Sequence, residues 1–245
     1  MDKEIKVRLN KAISDTGHCS RREADRLIEE KRVTVNDKMA VLGLPVGESD
    51  KIKVDGKLLK RKTNFVYLVF NKPRGITCTT DKNKEGNIID YINYPERIFP
   101  IGRLDKDSEG LIFLTSDGNI VNKILRAGNN HEKEYVVTTS ESITDDFIKK
   151  MAGGLPVLDT ITKKCFVKRE GPDSFRIILT QGLNRQIRRM CEYLGFEVIK
   201  LKRVRIMNIK LDNLKIGEWR KFSETEMITI FELVKDSVKT EEGSE

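Results

Sequence analysis

Apolar residues along the chain recur at two spacings, the 3.6 of a helix and the 2 of a strand, and the switches between them mark the elements. Near the N-terminus Leu9, Ala12 and Ile13 stand at helical spacing, and Gly17 is a natural stop. Ser20 and Glu23 form a capping box, S-x-x-E, that opens a second helix with the apolar face Ala24, Leu27 and Ile28. VTVNDKMA then reads as a hairpin turning at Asn36 and Asp37, and KIKVDGKLL as a strand and turn around Asp55 and Gly56. Two short helices feeding a small sheet predict a compact unit over residues 1–62, joined through the polar stretch KRKTN to a larger unit over 63–238.

In the larger unit FVYLVFNKPRG reads as a buried strand ending in a turn set by Pro73 and Gly75. Two β-prone runs, one ending at Ile101 and one beginning at Leu111, flank a polar loop closed by Gly110. Asp117 and Gly118 turn the chain into a helix with Ile120, Val121, Ile124 and Leu125 inward and Gly128 at its end. KEYVVTT is a strand, a helix covers 144–151, and FRIILT is another strand. In QGLNRQIRRMCEYLG, Asn184 is read as the cap of a helix that buries Ile187, Met190, Cys191 and Leu194. Ser223 and Glu226 cap a last helix through Val234, and the polar tail 239–245 reads as disordered.

Charge changes this picture. Lys and Arg number 46 against 38 Asp and Glu, a formal net charge of +8, which favours a polyanionic partner. Arg21, Arg22 and Arg26, with Lys31 and Arg32, gather on or near the second helix, whose start itself attracts phosphate; a solvated basic face is the plain alternative. Arg185, Arg188 and Arg189 stand off the apolar face near the positive end of their helix. There they repel one another and the dipole, so the arrangement wants an anion. Lys200, Lys202, Arg203 and Arg205 are read as extending that basic surface.

Composition also excludes chemistry. The four cysteines are scattered without a C-x-x-C pair, which argues against a zinc site or disulfide scaffold and for a reducing compartment. The charged start and the lack of an apolar run near ~18 residues predict a cytoplasmic protein with no membrane span. Only His18 and His131 are present, and there is no G-x-S-x-G, H-E-x-x-H, Walker loop or G-x-G-x-x-G, so triads, metal hydrolysis and nucleotide cofactors are not expected.

One reactive side chain sits in a plausible active-site loop. FPIGRLDKDSEGLIFLTSDG carries Arg103, Asp105, Lys106, Asp107 and Glu109. An aspartate there is most simply a turn residue. A calcium loop fails because Ser116 occupies the place of the bidentate Glu and the flanks read as strands. A glycosidase pair, Asp105 with Asp107, stays open on spacing alone. Tyr135 likewise reads as a core residue or as one facing a cleft.

The segment RLNKAISDTGHCSRREADRLIEEKRVTVNDK resembles the S4-like RNA-binding module. NKPRG (71–75), GRLDKDSEGLIFLTSDG (102–118) and LTQGLNRQIRRM (179–190) resemble the three blocks of the RNA pseudouridine synthases, in the order of their RsuA-type branch. Within it, NKILRAGNNHEKEYVV and QGLNRQIRRMCEYLGFEV resemble the F-type group of large-subunit synthases, whose B and E relatives share the blocks.

The resemblance implies an α+β fold: the S4-like domain followed by a catalytic domain with a mixed, mainly antiparallel sheet. It implies that Asp105 is the catalytic carboxylate, that Tyr135 stacks on or takes a proton at the target nucleotide, and that Arg188, or else Arg185, pairs with Asp105. Arg103 resembles the arginine that fills the gap left by the extruded base. The implied RNA contacts are Arg103, Leu104, Lys106, Arg185, Gln186 and Arg189 around the loop, Arg21, Arg22 and Arg26 in the S4-like domain, and Lys72. Its partners would be 23S rRNA near the peptidyl transferase centre and a tRNA uridine as second substrate, acted on by a monomer. The reaction exchanges one bond to ribose for another without a change of oxidation state, so neither metal nor cofactor is expected. A noncatalytic RNA-binding assembly factor is the competing class. An arginine beside Asp105 would hold it ionised; spacing leaves open whether that carboxylate attacks the sugar, adds to the ring or removes a ribose proton.

Overall fold

A computed structural model of the chain describes residues 6–81, 83–126 and 129–237, so the expected helix stop at Gly128 and the tail 239–245 lie outside the described residues. The chain divides into two compact units, one running to Phe65 together with Ser116–Gly118, the other taking in Val66–Thr115 and the chain from Asn119 onward.

In the first unit β1 (Val7–Arg8) leads into α1 (Leu9–Asp15) and α2 (Arg21–Glu29). The short strands β2 (Val33–Val35), β3 (Lys38–Met39), β4 (Pro45–Val46), β5 (Ile52–Val54) and β6 (Lys57–Leu58) follow. They form a four-stranded sheet, β3-β2-β5-β6, and a β1–β4 pair. Ser20 Oγ accepts from the Glu23 amide at 3.1 Å, one half of the expected capping box, while the Glu23 carboxylate accepts from Arg26 at 2.6 Å instead of closing the other half. Asn36 and Asp37 have φ of 51° and 64°, and Asp55 and Gly56 have 49° and 75°, the paired positive values of tight hairpins. Leu9, Ile13, Ala24, Leu27 and Ile28 pack on Val33, Val35, Ile52 and Val54 to close the core.

The second unit runs β7 (Tyr67–Lys72), α3 (Ile88–Ile92), β8 (Phe99–Ile101), β9 (Glu109–Thr115), α4 (Gly118–Leu125), β10 (Lys133–Thr139) and α5 (Asp145–Gly153). After α5 come β11 (Pro156–Val157), β12 (Thr160–Ile161), β13 (Phe166–Arg169), β14 (Ser174–Leu179), α6 (Gln186–Tyr193), β15 (Val198–Ile206), β16 (Ile209–Lys210), β17 (Trp219–Lys221) and α7 (Glu224–Leu233). The architecture is α+β, with one sheet in the order β13-β14-β10-β15-β9-β7-β17, β16 beside β15 and β8 beside β9. All its described pairings are antiparallel except β15 with β9, in the middle.

The central strands β7 and β9 are buried on both faces, so their alternate residues feed two cores. Leu68, Phe70, Ile112 and Leu114 pack with Ile88 and Ile92 of α3, while Val69, Leu111 and Phe113 pack with Ile120 and Ile124 of α4 and Ile230 of α7. A third core, with Val137, Phe147, Phe175, Met190 and Leu201, joins β10, β14 and β15 to α5 and α6. The parallel β15–β9 pairing lasts only two steps, Lys202↔Glu109 and Arg203↔Gly110, and the site forms where it stops. No helix among the described residues is long and apolar enough to cross a membrane.

Candidate active site

β8 and β9 pair antiparallel up to Ile101↔Phe113, which makes residues 102–108 the loop of a hairpin. Asp105 stands at its tip with its side chain 32% exposed. The loop is held from within by the Ser108 amide on the Asp105 carbonyl at 3.1 Å, and from outside by the Gly75 amide on the Lys106 carbonyl at 2.7 Å. The Leu104 amide donates to the Cys78 thiol at 3.4 Å. The NKPRG turn is therefore a bracket for the Asp105 loop.

Lys72 corrects its expected role as an RNA contact. It is fully buried, and its Nζ donates to the carbonyls of Pro73 and Ile76 at 2.8 Å each, so it ties the bracket instead of facing RNA. Burial pulls its pKa down, while Asp105 and Asp107 partly offset that.

From the other side comes α6. Its N-cap is Arg185, left-handed at φ 51° with no side-chain cap bond, and not Asn184 as the sequence suggests. The Leu183 amide donates to the Gln186 side chain at 3.1 Å, which fixes the turn in place of an Asn cap. The helix start then aims two guanidiniums at Asp105: Arg185 Nη1 is 3.7 Å and Arg188 Nε 3.9 Å from its Oδ2. Arg188 is the more enclosed, 13% exposed against 44% for Arg185. Its Nη1 donates to the Val198 carbonyl at 3.0 Å, and its Nη2 to the Asp107 carbonyl at 3.3 Å and Ser108 Oγ at 3.4 Å. Burial and the neighbouring Arg185 lower the Arg188 pKa, and Asp105 and Asp107 work against them.

The third wall is β10 against β15. Tyr135 lies opposite Arg203, after a register shift between Glu134 and Tyr135. Such an irregularity re-aims side chains beside a site. Lys133 and Tyr135 are two apart and share a face. The Arg203 guanidinium lies 5.9 Å from the Tyr135 ring centroid, within cation–π range. Its Nε donates to the Leu111 carbonyl at 2.6 Å, where the β15–β9 ladder has ended.

These walls enclose a cavity of about 450 Å³, the size of a small-ligand site. Asp105 is the one carboxylate among its described lining residues, facing Arg103, Lys106, Lys133, Arg185, Arg188 and Arg203. Asp107 does not line it, which removes the second carboxylate a glycosidase would need. Leu104 and Gln186, 7% and 4% exposed, line the cavity from within the fold. Arg103 and Lys106 are exposed at its rim. A single anion in a basic pocket with an aromatic platform can receive an extruded nucleotide and stabilise positive charge on its sugar.

The remaining predicted contacts spread more widely. Arg189 is half-buried and donates to the Asn184 carbonyl at 3.1 Å. Arg21 and Arg22 are exposed at the start of α2, whereas Arg26 is paired with Glu23 at 2.6 Å and Glu30 at 3.7 Å. The basic surface read from Lys200 to Arg205 is narrower than expected: Arg203 is 4% exposed, and Arg205 is tied to Glu132 and Glu134 at 2.8 and 2.5 Å. Lys133 and Arg203 are cavity residues that sequence reasoning did not place in the site. Their signal, Lys133 and Tyr135 in one strand and a long basic run opposite, shows only once the strands are paired.

A loop-borne carboxylate in a basic, aromatic-floored cavity on this α+β frame is the kind of site that holds a nucleotide for chemistry at its sugar. A family model described as RNA pseudouridylate synthase matches residues 66–193, and one described as S4 domain matches 7–52. The chain is 55% identical over 236 residues to the dual-specificity RNA pseudouridine synthase RluF of Salmonella typhi, covering 96% of this chain and 82% of that protein. It is 35% identical over 229 residues to ribosomal large subunit pseudouridine synthase B of Bacillus subtilis (strain 168), covering 90% and 93%. A crystal structure of a pseudouridylate synthase superimposes with a TM-score of 0.69 at 26% identity, covering 91% of this chain and 99% of that one. The chain belongs to the RNA pseudouridine synthase family, in the RsuA-type branch that carries an S4 domain. It is an RNA pseudouridine synthase.

Proposed function

We propose that the chain isomerises one uridine of 23S rRNA near the peptidyl transferase centre and a tRNA uridine as a second substrate, with Asp105 as the catalytic carboxylate. The observation that carries the chemistry is Asp105 alone among six cavity cations, two of them aimed at its Oδ2. The substrate reading is supported by 55% identity to relatives named dual-specificity synthases.

In this reading Arg103 enters the helix to take the place of the extruded base, and Tyr135 stacks on the uracil. Asp105, positioned by Arg188 and Arg185, supplies negative charge at C1′ as the C1′–N1 bond opens. The base turns, C5 joins C1′, and the proton on C5 is exchanged for one on N1. Flipping costs a few kcal/mol, which the inserted Arg103 and contacts of Lys106 and Arg189 with the backbone offset. Residues 1–62 form the RNA-docking domain and 63–238 the catalytic one, in a cytoplasmic monomer.

The test is to incubate the purified protein with unmodified 23S rRNA and an unmodified tRNA pool and to map pseudouridine by carbodiimide labelling. One new site in each RNA is expected. Product in tRNA alone, or in neither, overturns the substrate assignment.

A further inference from the structure

Three buried side-chain atoms among the described residues have no hydrogen-bond partner, and one of them, Arg203 Nη2, belongs to a cavity residue that the reading above leaves without a role. Arg203 is 4% exposed and Lys133 7%, and neither has a carboxylate within ion-pair distance among the described residues. Lys133 Nζ has a carbonyl, that of His131 at 3.2 Å, as its bonded partner. Buried cations are ordinarily paired, and an unpaired guanidinium nitrogen inside a fold is costly unless something else completes it. Both residues line the cavity on the Tyr135 side, and burial with repulsion from Arg203 pulls the Lys133 pKa to about 8.

We infer that Arg203 and Lys133 receive the uracil during catalysis and stabilise the negative charge it carries once detached from ribose. The inference rests on the cavity being the uridine site. When the C1′–N1 bond opens, its electron pair leaves with the base, and the resulting anion spreads its charge over N1 and the two carbonyl oxygens. The same anion then forms the C5–C1′ bond, C5 gives up its proton, and N1 takes one, so nothing is oxidised or reduced. Arg185 and Arg188 serve Asp105 on the sugar side. Arg203, opposite Tyr135 and in cation–π range of the ring proposed to stack on the base, is placed on the base side. The cavity thus separates two jobs: an anion for the sugar and two cations for the leaving base. Preorganised donors aimed at developing charge are the largest single source of rate in many enzymes.

The test is single-turnover kinetics of Arg203→Gln and Lys133→Met at saturating RNA. Glutamine keeps a donor for Leu111, and methionine keeps the aliphatic stem. Each variant acts on RNA with uridine or with 5-fluorouridine at the target, whose more acidic base carries negative charge more easily. The readout is loss of the N1-linked nucleoside.

Arg203→Gln should lower the rate on uridine about 100-fold with RNA affinity and Tm near wild type, and the deficit should shrink severalfold on 5-fluorouridine. Lys133→Met, which leaves Arg203 in place and carries the test if Arg203→Gln does not fold, should show the same graded deficit. Equal deficits on both bases, or wild-type rates, overturn the inference. So does weaker RNA binding with an unchanged saturated rate, which would put these cations on the phosphate backbone. Asp105→Asn run alongside separates the two levels. If it is inactive while Arg203→Gln is normal, only this inference falls; if it is active, the cavity assignment itself falls.

Discussion

A methyl group on Gly110 would sit 2.3 Å from the carbonyl oxygen of Arg203 and 2.8 Å from its amide nitrogen. The two residues face each other across the parallel seam at the middle of the sheet, and Gly110 holds φ at +106° to allow it. The Asp105 loop therefore closes only on a residue without a side chain. Gly110→Ala should destabilise the protein by roughly 3 kcal/mol, since backbone atoms cannot step aside. At Gly102, the other end of the loop, the near atom is a Leu125 methyl at 2.8 Å, the end of a flexible side chain. Gly102→Ala should cost about 1 kcal/mol, chiefly for its φ of +77°. Urea unfolding of the pair checks the order; equal losses would contradict it.

Arg188 combines three bonds to main-chain and hydroxyl oxygens with its approach to Asp105, a fork that a lysine cannot reproduce. Arg188→Lys should lower the single-turnover rate at least 10-fold, and Arg188→Ala about 100-fold, both with RNA affinity near wild type. Fluorescence titration beside quench kinetics separates rate from binding. A loss confined to affinity would mean that Arg188 grips RNA and does not position Asp105.

Much of this fold was legible because short-range chemistry dictated it. Asn36, Asp37, Asp55 and Gly56 announced hairpins since few other residues accept positive φ, and the Ser223 and Glu226 capping box forms in both directions. KEYVVTT is β10 to the residue. The site was half legible. Asp105 and the arginines of α6 stood out as charges in patterned segments. Lys72 misled because a lysine in a turn is normally wet, and here two carbonyls claim it. VIKLKRVRI was not read as a strand, because its cations looked like surface, while Arg203 is buried through Leu111, 92 residues away, and Tyr135. Such pairings are set by tertiary packing, which no local pattern encodes.

Lys133 gives the stability curve a definite slope. Its pKa falls from 10.5 to about 8 in the folded state, by burial first and Arg203 second. Between those values the folded chain has lost a proton the unfolded chain still holds, so this residue makes stability rise with pH across that window. Below about pH 8 the cost of the buried charge is fully present. Lys133→Met should therefore be more stable than wild type at pH 7, with the gap closing toward pH 10. Chemical denaturation at both pH values reads it; a constant gap would contradict the burial argument.

Arg21 and Arg22 open α2 exposed, with no side-chain hydrogen bond or ion pair among the described residues. If they hold phosphates, replacing both by Ala should weaken RNA binding and reduce the slope of log K against log salt by about 1.5, two contacts' worth. Filter binding over a salt series measures this. An unchanged slope would exclude these two arginines from the docking surface.

The most direct measurement is product formation by Asp105→Asn, which nearly preserves shape and removes only the charge, on RNA the wild type fully modifies. The predicted result is no pseudouridine over many wild-type half-lives, with RNA affinity within about 2-fold, a shift of less than ~0.5 kcal/mol. Pseudouridine accumulating at the wild-type site would contradict Asp105 as the catalytic carboxylate.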